Sequence, residues 1–261
     1  MHSRVDRSFL KGACFGDGYL RRVGPRTALL QISHAKKQRE YLRWKTGRLN
    51  RILGCQNPIR DYETSLNGKR HEVSRWWSEA SSELYPLWKE LYPCGRKHIT
   101  PGFLREIGLD GLALLYMDDG SLHLRKRGHS TRTGEPYVRE RTVEIALYLP
   151  HDTCVMVGDW IEGLTGALLA PREPMRAKSP DRWNLRASGM QARQFVDALR
   201  PYACKAMDYK FDLRYDTRTN RGKACWSEAE RSLNKAAEAD KVTRARSTQT
   251  ELIAAVGDEI V

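Results

Sequence analysis

Several classes are excluded by what this sequence lacks. No apolar run approaches the ~18 residues of a membrane span. The first residues, Met1–Phe9, are polar and charged, so no signal peptide is read there. The cysteines at 14, 55, 94, 154, 204 and 225 include no CxxC pair, which leaves no zinc pattern and points to reduced thiols, several of them buried. Acidic residues are outnumbered, with Lys+Arg 45 against Asp+Glu 32. These absences predict an intracellular protein of the cytoplasm or an organelle matrix, not secreted and with no membrane partner.

The positive balance is the first thing present. A net charge of +13 and a pI near 9.6 point to a polyanionic partner. The charge is uneven: residues 1–100 hold 20 basic and 9 acidic side chains, residues 101–211 hold 16 and 14, and residues 212–261 hold 9 and 9. If nucleic acid binds, the first stretch supplies most of the salt-sensitive affinity. At 261 residues the chain holds one large domain or two small ones.

Two short stretches repeat each other. Leu10-Lys11-Gly12-Ala13-Cys14-Phe15-Gly16-Asp17-Gly18 and Leu112-Ala113-Leu114-Leu115-Tyr116-Met117-Asp118-Asp119-Gly120 are both apolar runs ending in Asp-Gly. A β-prone, basic segment follows each. Their aspartates lie 102 residues apart, about one small domain. Gly12 and Gly16 share a helix face, and glycine there costs about 1 kcal/mol per residue against alanine, so a close backbone neighbour is expected to compensate. Gly18 and Gly120 suit the left-handed residue that ends a helix. Aspartate in a last turn opposes the helix dipole. Two such helices packed together bring Asp17 and Asp119 side by side, and adjacent carboxylates repel unless a cation lies between them. Hard oxygen ligands with room for water and phosphate suit Mg²⁺, with Mn²⁺ as an expected substitute.

Each stretch heads a run of similar elements. After the first helix, Tyr19–Val23 and Thr27–His34 read as a hairpin, Lys36–Leu53 as an amphipathic helix stopped by Gly54, Pro58–Ser65 and Glu72–Ser78 as a second hairpin, and Ser82–Tyr92 as a third helix. The apolar stripe of the amphipathic helix is Tyr41, Trp44, Leu49 and Ile52, and its solvated face is Lys36, Lys37, Arg43 and Arg48. The order recurs as Asp110–Gly120, Ser121–Lys126, Arg141–Leu149, His151–Thr165, Leu168–Arg176, Arg182–Ser188 and Gly189–Leu199. The expected domains are therefore 1–100, 101–211 and an extension, 212–261, that is partly helical (Ser227–Ala239) or disordered.

The pair of stretches resembles the two signature motifs of the LAGLIDADG homing endonucleases, over roughly residues 8–211. Gly12, Asp17 and Gly18 fit the first motif, and Asp119 and Gly120 the second. Leu114 and Asp118 stand where the first motif has Gly12 and Gly16, so the close helix contact is less legible there. The resemblance implies an α+β fold of two pseudo-symmetric αββαββα halves, with antiparallel sheets forming a saddle and the motif helices at the interface. It implies a monomeric, divalent-metal-dependent endonuclease that cuts both strands of a long asymmetric DNA site. The metal set would be Asp17, Asp119, Gly16 and Asp118. Lys97 and Lys210, the latter in Tyr-Lys-Phe, match the two active-site lysines of a subgroup and would act with Asp17 and Asp119 as the catalytic residues. Candidate DNA contacts are Arg21, Arg22, Gln31, Ser33, Arg60, Thr64, Lys69, Arg70, Arg75, Arg125, Arg127, Arg132, Arg139, Arg176, Asn184 and Arg186. Two alternatives share the fold: an intron maturase, which would bind host intron RNA, and a regulator that binds DNA without cutting.

Overall fold

The computed structural model describes residues 3–66, 68–129, 136–173 and 182–212, and of residues 66, 69, 124–129 and 136–140 it describes the backbone alone. Arg132, Arg176 and residues 213–261, with the helix expected at Ser227–Ala239, lie outside the described residues. Residues 1–213 make up one compact unit.

Helix α1 (Arg4–Phe15) opens on Ser3, whose hydroxyl accepts from the backbone N–H of Asp6. It leads into β1 (Tyr19–Gly24) and β2 (Thr27–Ala35). A single 3₁₀ turn, Lys36–Gln38, precedes α2 (Arg39–Leu53), which ends on Gly54 with φ +64°. Strands β3 (Arg60–Leu66) and β4 (Lys69–Trp77) and helix α3 (Leu84–Leu91) complete the first half. A short helix α4 (Pro101–Arg105), capped by Thr100, bridges to α5 (Leu109–Asp119). The second half then runs β5 (Gly120–His129), β6 (Pro136–Leu149), α6 (His151–Thr165), β7 (Ala170–Arg172), β8 (Trp183–Ser188) and α7 (Gly189–Leu199). Apart from α4 the two halves share one order, as the repeat predicts. The ribbon β5–β6 is longer than read from sequence, because residues beyond the expected strands continue the ladder, with Glu140 opposite Arg125, Val138 opposite Lys126 and Pro136 opposite His129.

Each half forms an antiparallel four-stranded sheet, in the orders β1-β2-β4-β3 and β5-β6-β8-β7. Period-2 alternation decides which face meets the helices. In β2 Ala28, Leu30, Ile32 and His34 are buried and the intervening residues are partly open. Val143, Ile145, Leu185 and Ala187 do the same in the second sheet.

Helices α1 and α5 pack on each other at the centre. In α5 every residue from Gly111 to Met117 is buried, as expected for a helix apolar on all sides. A Cβ added at Gly12 would land on the Cα of Gly111, and one added at Gly111 would meet the Ser8 carbonyl. The close contact expected at Gly12 is therefore present, but its partner glycine is three residues before Leu114, since the helices cross rather than align. Gly18 and Gly120 do not take the left-handed conformation expected of them. They are small because a Cβ would strike the Ala13 carbonyl in one case and Tyr116 in the other.

Candidate active site

The two helices end differently. α1 stops at Phe15, with Gly16 at ψ −130°, so Asp17 sits in a turn beyond the helix. α5 continues through Asp119, with the Gly120 N–H bonded to the Tyr116 carbonyl. Asp17 is partly open, with side-chain exposure of 36%, and Asp119 is half-buried.

Both carboxyls are hard to ionise. Burial, with the negative charge of Asp118, raises Asp17 to about 6. Burial, with the charges of Asp17 and Asp118, raises Asp119 to about 7. The charge of Asp17 thus adds to the rise at Asp119.

Each carboxylate has a lysine behind it. Lys97 Nζ donates to the carbonyls of Phe15 at 3.0 Å, Gly16 at 2.9 Å and Gly18 at 3.4 Å. Lys210 Nζ donates to the carbonyls of Met117 at 2.5 Å and Asp118 at 3.3 Å. Each ammonium thus takes up the unpaired carbonyls where a motif helix ends. Burial lowers the pKa of both lysines. Their carriers are held by local packing. His98 N–H bonds to the Leu91 carbonyl at 2.7 Å. The Tyr116 hydroxyl donates to the Lys210 carbonyl at 2.7 Å, and its ring meets Phe195 and Phe211 edge-on.

Asp118 is placed apart from Asp119. Its side chain is wholly buried and both oxygens are occupied. Oδ1 accepts from the Tyr41 hydroxyl at 2.7 Å and Lys45 Nζ at 2.8 Å, while Oδ2 accepts from Lys45 Nζ at 2.5 Å and the Asp17 N–H at 3.0 Å. Burial pushes this carboxyl up, but the Lys45 charge, His34 and these hydrogen bonds outweigh it and hold it below the usual carboxylate range. What Asp118 shares with Gly16 is a backbone carbonyl facing the lysine of its own half.

Two residues here escaped the sequence reading. Lys45, fully buried, lies on α2 four residues from both Tyr41 and Leu49, on the apolar stripe. His34 follows Leu30 and Ile32 on the core parity of β2. Its Nδ1 is 3.4 Å from Asp17 Oδ2, and burial pushes it down to about 4. Asp17, His34 and Asp118 bring potential ligand atoms within 4.8 Å of one another. A charged residue on an apolar stripe was the available signal for Lys45.

The expected DNA contacts divide by strand parity. Tyr19 pairs with Gln31 and Arg21 with Leu29, Ser33 pairs with Arg75, and Arg75 with Arg60. Arg21, Gln31, Ser33, Arg60, Thr64 and Arg75 therefore share the face away from the helices. Lys69 falls in the same register, opposite Leu66. Arg22 departs from the expectation: it turns to the helix side and lies over Tyr85 at 5.9 Å and Trp88 at 5.5 Å. Arg70 also has the opposite parity and lies 3.9 Å from Glu63. In the second half Arg186 pairs with Glu144 and is half-buried. Asn184 is 3% exposed, and its amide donates to Glu144 at 2.9 Å, so it is not the open side chain expected. Arg125, Arg127 and Arg139 lie on the ribbon β5–β6, where the backbone alone is described. Arg48, expected on a solvated face, instead pairs with Asp110 at 3.3 Å and covers the Phe9 ring at 4.0 Å.

Residues 7–149 match the LAGLIDADG DNA endonuclease family. The chain belongs to that family. The likeness to solved structures agrees in fold. The homing endonuclease I-WcaI, solved bound to its DNA recognition sequence, matches 81% of this chain and 88% of its own at TM-score 0.64 and 16% identity. I-SmaMI, bound to an uncleaved DNA target with calcium ions, matches 78% of this chain and 86% of its own at TM-score 0.51 and 12% identity. Among curated proteins, the chain is similar to Protein RecA of Mycolicibacterium flavescens (27% identity, 82% of this chain, 48% of that protein) and of Mycobacterium shimoidei (28%, 84% and 49%). The chain spans about half the length of those relatives, and no activity of theirs is carried over. Among the described residues no helix is long and apolar enough to cross a membrane.

Proposed function

We propose that this LAGLIDADG protein, as a monomer, makes a double-strand break at a long asymmetric DNA site, with Mg²⁺ held between the carboxylates of Asp17 and Asp119. The observation that carries the reading is the pair of raised carboxyls, one from each half, each beside a lysine-capped helix end. Two hard oxygen donors that repel each other fit a divalent cation. The neighbouring carbonyls of Gly16 and Asp118 complete the proposed set, while the Asp118 carboxylate remains bound to Lys45. When bound, the ion supplies charge neutralisation at the phosphate and a more acidic water.

The protein's own groups then have distinct tasks. Asp17 and Asp119 must be deprotonated to serve, and each stands nearest one of the two scissile phosphates. Lys97 and Lys210 bond only to carbonyl oxygens, which carry no net charge, so their positive charge is left to act on charge developing at the phosphate. Burial lowers their pKa and makes Nζ a better site for proton exchange with water. The face bearing Arg21, Gln31, Ser33, Arg60, Thr64 and Arg75 contacts one end of the site, and the second sheet, different in sequence, contacts the other. That difference gives an asymmetric target.

The test is incubation of the protein with a randomised duplex library and Mg²⁺. Recovered cut molecules should share one long, non-palindromic sequence. Binding that enriches a sequence while leaving every duplex intact would instead favour the non-cleaving regulator.

A further inference from the structure

Asp118 and Lys45 form a buried ion pair that joins the two halves, and the proposed chemistry does not use it. Lys45 comes from α2 of the first half and Asp118 from α5 of the second, and both side chains have no exposure. Gly16, the counterpart of Asp118 in the first motif, makes room for it, since a Cβ at Gly16 would strike the Asp118 carboxylate.

The pair reaches the Asp17 backbone through one hydrogen bond, and His34 stands between the two carboxylates, with Nδ1 3.4 Å from Asp17 Oδ2 and Nε2 3.9 Å from Asp118 Oδ1. Beyond α1, the Gly16 N–H is bonded to the Gly12 carbonyl and the Gly18 N–H to the Ala13 carbonyl. The Asp17 N–H between them bonds to Asp118 Oδ2 at 3.0 Å. Asp119 lies inside its helix and needs no such acceptor. Nor does the first half offer one, because the position equivalent to Asp118 is Gly16.

We propose that Asp118, held by Lys45 and Tyr41, is a positioning residue for the Asp17 turn alone, so that the two cleavage centres are unequal. Lys45 fixes both oxygens and Tyr41 fixes one, which leaves Oδ2 aimed at the Asp17 amide. Asp118 does not touch DNA in this role. It sets where the Asp17 carboxylate points, and its loss affects one strand.

The inference rests on the nuclease reading, and the test uses neutral pairs to avoid leaving a buried charge. Lys45→Met with Asp118→Leu removes both the charge and the acceptor, whereas Lys45→Met with Asp118→Asn keeps an oxygen for the Asp17 N–H. Two readouts are taken on the full chain: hydrogen exchange at the Asp17 amide, and single-turnover nicking of a duplex whose strands carry different end labels. The leucine pair should bind DNA like wild type, lose Asp17 amide protection, and slow one strand about 10- to 100-fold relative to the other. The asparagine pair should recover both readouts. Lys45→Met with Asp118→Ala is read in the same way if the leucine pair does not fold. Unchanged amide protection, equal slowing of both strands, or an asparagine pair that behaves like the leucine pair overturns the proposal. A wild type that binds the duplex but nicks neither strand overturns the nuclease reading and this role with it, even where the amide stays protected.

Discussion

The two motif helices present the same aspartate by different means. Asp119 rides on the last turn of α5 and inherits its position from helical hydrogen bonds. Asp17 stands beyond the end of α1 and depends on a carboxylate of the other half. The behind-helix lysines, by contrast, play nearly the same part: both cap carbonyls, with Lys210 buried and Lys97 half-buried. The two halves therefore share a charge pattern while the supports beneath it differ. A site made of two pseudo-equivalent parts need be symmetric only where it meets the phosphates.

The sharpest way to test the shared part is to neutralise either carboxylate. Asp17→Asn and Asp119→Asn should each lower double-strand cleavage by about 10³-fold or more, the effect of several kcal/mol of lost charge stabilisation, with DNA binding retained. Gel-resolved cleavage beside a binding titration checks this. Undiminished cutting by either variant would remove it from the ion site.

The supports should break unequally. Lys45→Met alone leaves Asp118 buried and unpaired and is expected to cost about 3–5 kcal/mol of stability, read from urea unfolding. The same change together with Asp118→Leu should cost far less, because no buried charge remains. Equal losses would mean that Lys45 contributes packing rather than charge.

The carboxylates should also betray themselves without DNA. Their folded pKa values, about 6 and about 7, are raised above the ordinary value of 3.8. In this case the folded state binds more protons than the unfolded one between roughly pH 4 and 7, so stability falls as pH rises through that window. The urea midpoint in chelator should accordingly be lower at pH 8 than at pH 5. Added Mg²⁺ should recover much of the loss at pH 8, and Asp17→Asn with Asp119→Asn should flatten the dependence. A midpoint that rises across that window in wild type and variant alike would contradict the repulsion.

A smaller effect separates the two faces of the first sheet. Arg75→Ala, on the face away from the helices, should weaken DNA binding by about 1–3 kcal/mol if it reads a base, or reduce the salt slope by about 1 if it contacts phosphate. Arg22→Ala, which faces Tyr85 and Trp88, should leave the salt slope alone. Salt-dependent binding isotherms distinguish them, and reversed results would place the DNA on the helix side.

The motif aspartates and the element order were readable from the chain because both depend on local pattern: apolar runs, Asp-Gly ends and period-2 strands. Lys97 and Lys210 were readable through family resemblance, since nothing in their own neighbourhoods marks them. The cluster around Asp118 was not read, because its members come from β2, α2 and α5, and only folding makes them neighbours. Lys45 and His34 interrupted apolar patterns and so left a trace, but a trace without a partner has no direction. The errors at Arg22, Arg70 and Asn184 are of another kind. One residue of register sends a strand side chain to the opposite face, and a hydrogen bond to Glu144 closes Asn184 off although its parity is favourable.

The claim that each half supplies one cutting carboxylate is tested most directly by mapping, to the nucleotide, the ends that wild type produces on both labelled strands of a selected target with Mg²⁺. The account predicts one scissile bond per strand, each at a fixed position in the selected target. A break confined to one strand, or cuts scattered along the duplex, would contradict it.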